Sequence, residues 1–229
     1  MSSLSPRPRP ETLTDMAYQQ LRTAILNGQF VAGQLTSIVS LASTLGMSRS
    51  PVRSAVERLA VEGLVTATSG GILVANPGRH ELLDALAVRA PLEGLAAKLA
   101  APQFDQDDLA KLAEIHSRFA AAVNDDDPIT ARAVDLEFHQ LIQSLCGNAC
   151  LVEMLERVQA RVILATYSTA WSTNQRAAVA EHARIVSALE NQDGDAAERA
   201  AMLHLHNLVD RIRLEWKRRD AAGSELAAG

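Results

Sequence analysis

Residues 38–64 read IVSLASTLGMSRSPVRSAVERLAVEGL, and this stretch decides the fold of the first part of the chain. Apolar residues at helical spacing run up to Gly46, where glycine can adopt the left-handed conformation that ends many helices. A second helix is predicted after a short turn, with Ser50 as its N-cap and Pro51 at its first position, where the missing N–H loses no hydrogen bond. Such a helix pair is typical of a helix-turn-helix, although similar pairs also occur as plain packing units.

The second helix of the pair is predicted to be amphipathic, with apolar side chains on one face and cations around the outer edge. A helix-turn-helix inserts the front of its second helix into the major groove of DNA, where cations reach base edges and phosphates. The residues that we predict to contact DNA from this helix are Arg49, Ser50, Arg53 and Arg58.

Two β-prone runs follow the helix pair, at residues 63–68 and 72–74, and Ser69-Gly70-Gly71 joins them. Two such runs with a glycine-containing turn predict a hairpin. At its tip Gly71, together with Gly70, is predicted to let the backbone approach a phosphate closely. The hairpin therefore has the position of the wing in a winged helix-turn-helix.

A further helix is predicted before the pair, because an apolar stripe between Leu13 and Ile25 is stopped by Asn27-Gly28. These elements together predict a winged helix-turn-helix domain over residues 11–77. The Pro-Arg alternation of residues 1–10 is interpreted as a disordered arm and not as a signal peptide, since it lacks an apolar segment.

Composition and charge indicate which classes of partner the chain can have. It has 229 residues, of which 48% are hydrophobic, and no apolar run approaches the roughly 20 residues of a membrane span. We therefore expect a cytoplasmic protein without a membrane partner. The net charge is +2 over residues 1–77 and −7 over the remainder, which together give −5. A positive head on an acidic body lets only one end approach a polyanion, and two copies on two DNA half-sites would compensate for its weak charge.

From residue 78 onward the chain shows helical patterns and no strand signal, after a short linker at residues 75–78. The fold class that we predict is mainly α: an N-terminal winged helix-turn-helix followed by an all-α six-helix bundle over residues 78–229. Pro91 is predicted to kink the first of these helices. The six helices are predicted at residues 80–101, 105–124, 127–145, 149–170, 174–190 and from 193 to the basic run at 217–219.

Four residues of the helical part could bind a metal ion. Asp135 and His139 are four apart and project from one face of one helix. His182 and His204 lie on the last two helices, which a tight turn makes antiparallel neighbours. Imidazoles with one carboxylate suit a divalent ion such as Zn²⁺, Ni²⁺ or Mn²⁺. From spacing alone, an Asp/His pair of this kind is more often an ordinary pair at the surface or the edge of the core.

The first domain resembles the DNA-binding domain of the GntR family of bacterial transcription regulators. Ala32 and Ser37 depart from the family pattern, at positions outside the recognition helix. The resemblance rests on Leu21-Arg22, Ile25-Leu26-x-Gly28, Gly33, Leu41-Ala42, Leu45-Gly46-x-Ser48-Arg49-x-Pro51-Val52-Arg53, Leu59 and Glu62-Gly63-Leu64.

The second domain resembles the FCD ligand-binding domain of the FadR-type branch of that family, and its six helices resemble the VanR-like subgroup. The resemblance implies that an Asp and three His hold a divalent metal, whose coordination an effector carboxylate completes. Its register favours His204 over His206 as the last ligand. The motifs that carry the resemblance are Arg89-x-x-x-Glu93, Asp135-x-x-Phe138-His139-x-x-Ile142, Gly147-Asn148-x-x-Leu151, Glu181-His182-x-x-Ile185 and His204-Leu205. The implied metal ligands are Asp135, His139, His182 and His204.

Arg89 is the candidate to bind an acidic effector, because a guanidinium matches a carboxylate through two hydrogen bonds. It could equally be an i,i+4 ion-pair partner of Glu93. Both interpretations remain open at the level of sequence.

The leading functional hypothesis is a transcription regulator, not an enzyme, that binds a short palindromic operator and a small carboxylate effector as a homodimer. The dimer is predicted to form through the first helix of the bundle, at Leu92, Leu95, Ala96 and Leu99. A mononuclear metallohydrolase fused to a DNA-binding module is the alternative, but the sequence has no HExxH or GxSxG motif. A third class, an architectural DNA-binding protein, would respond to no effector.

Overall fold

The computed structural model describes residues 12–168 and 175–227. The chain separates into two compact units: the first comprises the residues up to Gly78 and a short stretch that begins at Ile163, and the second comprises the other residues from Arg79 onward. The predicted arm at residues 1–10 lies outside the described residues. None of the helices in the described ranges combines the length and the apolar character needed to cross a bilayer.

The first unit begins with α1, Leu13–Leu26, which a capping box between Thr12 and Asp15 opens. Strand β1, Leu35–Ser37, and helix α2, Ile38–Leu45, follow. Helix α3 spans Arg49–Val61, and strands β2 and β3 span Val65–Ala67 and Gly71–Val74. This order confirms the predicted winged helix-turn-helix and adds β1, which was not predicted.

In the turn between α2 and α3, the end of α2 was predicted correctly but the start of α3 was not. Gly46 caps α2 in the left-handed conformation, with φ of 62°. Helix α3 begins at Arg49 with Ser48 as N-cap, so the prediction of Ser50 as N-cap is wrong. Pro51 is consequently the third helical residue, where its missing N–H still costs nothing because the first N–H groups of a helix have no intrahelical partner. The buried face of α3 consists of Val52, Ala55, Val56 and Leu59.

The three strands form an antiparallel sheet in the order β1-β3-β2, with Leu35 opposite Leu73 and Val65 opposite Val74. Gly71 is buried in this sheet, and a Cβ at its position would collide with the Thr36 carbonyl oxygen of β1. The absence of a side chain at Gly71 therefore permits pairing between β1 and β3, which corrects its predicted role at the wing tip. At Gly70 an added Cβ would meet open space.

A polar network joins α1 to the end of α3. The Tyr18 hydroxyl donates to Glu62, and Arg22 Nε donates to the same carboxylate over 3.0 Å. Arg58 donates to Asp15 over 2.7 Å and lies 3.9 Å from the centre of the Tyr18 ring. These contacts fix the orientation of α3 relative to α1.

The described residues beyond Gly78 form six α-helices, as predicted, and all of them belong to the second unit except the end of the fourth helix from Ile163. These are α4, Arg79–Ala100; α5, Gln106–Asn124; α6, Pro128–Ser144; α7, Ala149–Ser168; α8, Arg176–Glu190; and α9, Gly194–Ala227. A 3-10 turn, Ala101–Gln103, follows α4. The predicted end of α7 at 169–170 and start of α8 at 174 lie outside the described residues.

Helix α4 continues through Pro91, the site of a predicted kink. Pro91 cannot donate to the Ala87 carbonyl, but both residues are exposed and water can satisfy that oxygen. The prediction that the last helix ends at the basic run 217–219 is wrong, because α9 continues to Ala227. The residues beyond the run include alanine, glutamate and leucine, which are good helix formers.

The core of the second unit lies between α4, α5, α6, α8 and α9, and α4 packs along α9. At Gly94 an added Cβ would lie 2.6 Å from Met202 Cγ, so the missing side chain lets the two helices approach closely. Lys98 on α4 pairs with Asp195 at 2.7 Å and with Glu198 at 2.9 Å. The largest fully buried side chains of this core are Leu82, Leu86, Leu112, Phe119, Phe138, Leu155 and Ile185.

Candidate functional site

Three helices of the second unit bring four potential metal ligands together. Asp135 and His139 project from α6, His182 from α8 and His204 from α9. One ligand atom from each residue lies within 4.8 Å of the others. The three histidines are buried, whereas Asp135 is partly exposed. The structure thus places all four predicted ligands in one cluster.

The histidines differ in what holds their rings. His139 Nδ1 lies 3.4 Å from Glu93 Oε2, and His204 Nδ1 lies 2.8 Å from Glu181 Oε2. His182 Nε2 lies 3.5 Å from Asp135 Oδ1. The His182 ring is stacked on Phe138, with centroids 4.2 Å apart and planes at 3°, and Phe119 packs near it at 4.9 Å.

Several ring nitrogens in this cluster lack a hydrogen-bond partner within the described parts of the chain. They are His139 Nε2 and both ring nitrogens of His182, and all three are buried. Leaving a buried polar atom unpaired is unfavourable by about 1–3 kcal/mol. A neutral imidazole has one lone pair, so His139 and His182 each offer one nitrogen to a cation. Three imidazoles with one carboxylate are a donor set that binds divalent first-row ions.

The protonation of the histidines also fits a metal site. Burial lowers the pKa of His182 well below its usual value, and the neighbouring His204 and His139 lower it further. Burial lowers the pKa of His204 too, although its hydrogen bond to Glu181 acts in the opposite direction. Both rings are therefore neutral near pH 7, which is the form that coordinates a metal.

Glu93 on α4 lies beside His139 and accepts hydrogen bonds from two other side chains. Its Oε1 accepts from Arg89 Nε at 3.0 Å and from Gln143 Nε2 at 3.0 Å. Burial would raise the pKa of Glu93, but the charges and hydrogen bonds of His139 and Arg89 outweigh it and lower this pKa to about 2. Glu93 is therefore a buried carboxylate that stays ionised.

Glu181 on α8 has the corresponding place beside His204. It accepts from Asn207 Nδ2 at 2.9 Å and from both terminal nitrogens of Arg211, at 2.6 and 3.1 Å. Burial again opposes ionisation, but hydrogen bonds from His204 and Arg211 lower the pKa of Glu181 to about 2. The sequence analysis did not predict either carboxylate as a partner of a metal-ligand histidine.

The other candidates around this cluster are placed as follows. Arg89 is buried and forms the i,i+4 ion pair with Glu93 that was one of its two interpretations. His206 is exposed on α9, away from the cluster that contains His204. Elsewhere His80 pairs with Asp84 at 3.0 Å, and His116 Nε2 lies 3.0 Å from the Val179 carbonyl oxygen.

The residues predicted to contact DNA fall into two groups. Arg49, Ser50 and Arg53 are exposed on the first two turns of α3. Arg58, near the end of α3, is held by Asp15 and Tyr18 within its own domain. The front of α3 therefore presents two cations and a hydroxyl to solvent.

Comparisons with known proteins cover both units. The FCD domain matches residues 84–207, and the family described as bacterial regulatory proteins, gntR family, matches residues 13–74. An HTH-type transcriptional regulator of Bacillus subtilis (strain 168) is 26% identical over 203 residues, 86% of this chain and 89% of the relative. The HTH-type transcriptional repressor RspR of Escherichia coli (strain K12) is 24% identical over 205 residues, 89% of this chain and 90% of the relative.

Solved structures show the same fold. The structure of McbR/YncC from E. coli has a TM-score of 0.75 at 21% identity and covers 90% of this chain and 99% of its own. A transcriptional regulator from Rhodococcus sp. RHA1 has a TM-score of 0.68 at 22% identity and covers 87% of this chain and 96% of its own. The relatives named here are transcription regulators and not enzymes.

Proposed function

Because this chain belongs to the GntR family of bacterial transcription regulators and carries an FCD domain, we propose that a small organic acid, bound at a metal centre in the helical unit, controls its affinity for operator DNA. The observation that carries this proposal is the convergence of three buried imidazoles and one carboxylate, with ring nitrogens that have no partner in the described chain. Since a relative is a transcriptional repressor, we take repression as the direction of control.

The metal ligands in this proposal are Asp135, His139, His182 and His204. A divalent ion, Zn²⁺, Ni²⁺ or Mn²⁺, would supply a positive charge that binds a carboxylate directly. The ion would also pair Nε2 of His139 and one ring nitrogen of His182. Four protein ligands leave room for an effector oxygen on a five- or six-coordinate ion.

Arg89 is the effector's proposed counter-charge. Its guanidinium is buried and two of its nitrogens contact Glu93, which in turn contacts His139. An acidic effector bound to Arg89 would therefore be separated from the metal ligand His139 by a single side chain, that of Glu93. Arg89 would act in both of the ways considered from sequence, as partner of Glu93 and as partner of the effector.

The effector proposal is tested with a panel of mono- and dicarboxylic acids, titrated calorimetrically into metal-loaded and chelator-treated protein. We expect at least one acid to bind only the metal-loaded form and to change operator affinity by roughly 5- to 150-fold, the usual range of allosteric coupling. Arg89→Lys should weaken that acid, because an ammonium cannot reproduce the paired hydrogen bonds, and the exposed Arg184→Lys is its matched control. Equal affinity of every acid for both forms would refute a role for the metal in holding the effector.

For DNA recognition we propose that Arg49, Ser50 and Arg53 enter the major groove and that Gly70 lets the wing approach a phosphate. Arg58 and Gly71 would support the domain instead, since Arg58 pairs with Asp15 and Gly71 accommodates β1. Two copies would bind half-sites about 10 bp apart, as two-fold symmetric regulators of this kind do.

The homodimer is proposed to form on the exposed side of α4. Val88 and Leu95 are 52% and 38% exposed there, and both are apolar. Leu92 and Leu99 are only partly buried against the core. Ala96 is completely buried, so its predicted place in the dimer face is wrong: it points into the core of its own unit.

Arg53→Ala is expected to weaken operator binding by about 1–3 kcal/mol while helical content stays unchanged. The reason is that Arg53 is exposed at the front of α3 and has no partner in the described chain whose loss would affect folding. Binding is measured at fixed salt on an operator selected from random-sequence DNA, and sedimentation of the same complexes should give two chains per operator. Arg213→Ala, an exposed arginine of α9, is the control. Unchanged affinity of Arg53→Ala would remove this residue from the interface.

A further inference from the structure

Glu181 binds three side chains on one face of α9. Its Oε2 contacts His204 Nδ1 at 2.8 Å, and its Oε1 accepts from Asn207 Nδ2 at 2.9 Å. Arg211 donates to both oxygens. Because residues 204, 207 and 211 are three and seven positions apart, they follow one another along two turns of the helix. A single carboxylate on α8 therefore binds α9 at the proposed metal ligand, His204, and at two residues on the two turns that follow it.

The contact with His204 determines which nitrogen of the ring is available. A carboxylate paired with an arginine only accepts hydrogen bonds, so His204 must carry its proton on Nδ1 to bond with Glu181. Its lone pair is then on Nε2. Histidines that ligate metals commonly donate their other N–H to a carboxylate, which fixes the ring and makes it a better donor to the ion.

The three histidines of the cluster are not equivalent in this respect. His139 has a looser contact with its carboxylate, 3.4 Å to Glu93. His182 has no hydrogen-bond partner among the described side chains and is oriented by stacking on Phe138. Glu93 also binds the helix of its histidine, at one further residue, Gln143. Glu181 binds the helix of its histidine at two further residues, Asn207 and Arg211.

We propose that Glu181 is a positioning residue of the metal centre, which orients His204 so that its Nε2 faces the ion. Through its bonds to Asn207 and Arg211, Glu181 also lets metal binding stabilise residues 204–211 of α9. This inference rests on the proposed metal centre. It adds Glu181, a residue that does not itself bind the ion, and it identifies the part of α9 that metal binding should stabilise.

The experiment uses the full chain and Zn²⁺ alone as the probe. In Glu181→Gln, zinc affinity measured by competition with a chelator should fall about 10- to 100-fold, the usual effect of losing an outer partner of a ligand. Glutamine keeps the shape, but one acceptor oxygen is replaced by an NH₂ group that faces the donors of Asn207 and Arg211. Glu190→Gln, an exposed residue at the end of the same helix, is the control and should leave zinc affinity unchanged.

Two further measurements separate positioning from a purely structural role. Zinc should slow amide hydrogen exchange in residues 204–211 of the wild-type chain and of Glu190→Gln, but much less in Glu181→Gln. Nitrogen NMR of the metal-free wild type, which needs no variant to fold, should find the His204 proton on Nδ1. A proton on Nε2, or equal zinc affinity of wild type and Glu181→Gln, would overturn the inference. If the wild type itself does not bind zinc, the proposed metal centre fails instead.

Discussion

Replacing His182 with alanine is expected to abolish stoichiometric binding of a divalent ion, whereas His206→Ala should leave about one ion per chain. His182 is completely buried at the centre of the cluster, close to both other histidines and to Asp135. Structural zinc sites bind with about 10–16 kcal/mol, so one of four ligands accounts for roughly 3 kcal/mol, or more than a hundredfold in Kd. The metal content of dialysed protein and chelator competition give the result.

The interpretation of that result depends on folding, because His182 also packs on Phe138 and Phe119. His139→Ala provides an independent removal of a ligand from α6 and should give the same loss of metal. Circular dichroism of the metal-free variants should show unchanged helical content. Loss of the ion in His206→Ala, with retention in a His204 variant, would mean that the last ligand had been assigned to the wrong face of α9.

Removing the ion from the wild-type chain is expected to lower the melting temperature of the protein by roughly 8–16 °C. A ligand present at about a thousand times its Kd stabilises the folded state by about 4.1 kcal/mol, and for chains of 150–250 residues each kcal/mol shifts the transition by about 2–4 °C. Without the ion, buried nitrogens of His139 and His182 also lose the partner that would compensate for their burial. Calorimetric melting curves with chelator and after re-addition of zinc measure the shift.

The matched control for this melting experiment is His139→Ala, which should melt at the same temperature with and without chelator. The stability of His139→Ala is compared with that of the metal-free wild type, because neither protein has a complete metal site. Identical melting curves of the wild type with excess zinc and with chelator would contradict the proposed metal centre.

Local signals in the sequence were sufficient to predict most helix boundaries in the second unit. Asp105 and Asp127 accept hydrogen bonds from backbone N–H groups in the first turns of α5 and α6, as N-caps do, and the predicted helices begin at these two residues. Gly46 likewise ended α2 as predicted. Each of these signals acts within one helical turn, so it can be recognised without knowledge of the tertiary fold.

Two of the errors concern the start of α3 and strand β1, where the local sequence does not decide the structure. Ser48 and Ser50 are equally good N-caps, and proline is tolerated at several early helical positions, so the start of α3 depends on packing. Strand β1 has only three residues, and its pairing with β3 depends on the missing side chain of Gly71. A strand that exists only because a distant glycine admits it leaves no periodic pattern in its own sequence.

The residues of the candidate metal centre could be predicted from the sequence only in part. The four-residue spacing of Asp135 and His139 placed two donors on one face of a helix, but the resemblance to a family was needed to select His182 and His204. The carboxylates of Glu93 and Glu181 were not predicted, because their partners are joined to them only by tertiary packing. A glutamate that falls on the apolar face of a helix, as Glu93 does between Ala90 and Ala97, is a signal that could have indicated a buried polar partner.

The donors of the cluster are distributed along the chain from Asp135 on α6 to His204 on α9, and the ribosome delivers these helices one after another. A growing chain that has exposed α6 offers two donors, gains a third with α8 and completes the set only when α9 has emerged. Two donors from one helix hold a divalent ion weakly, so an ion bound by the proposed cluster would not stabilise a partial bundle during translation. The ion would then bind only after the helical unit is complete. A shortage of metal in the cell would therefore affect finished chains and not nascent ones.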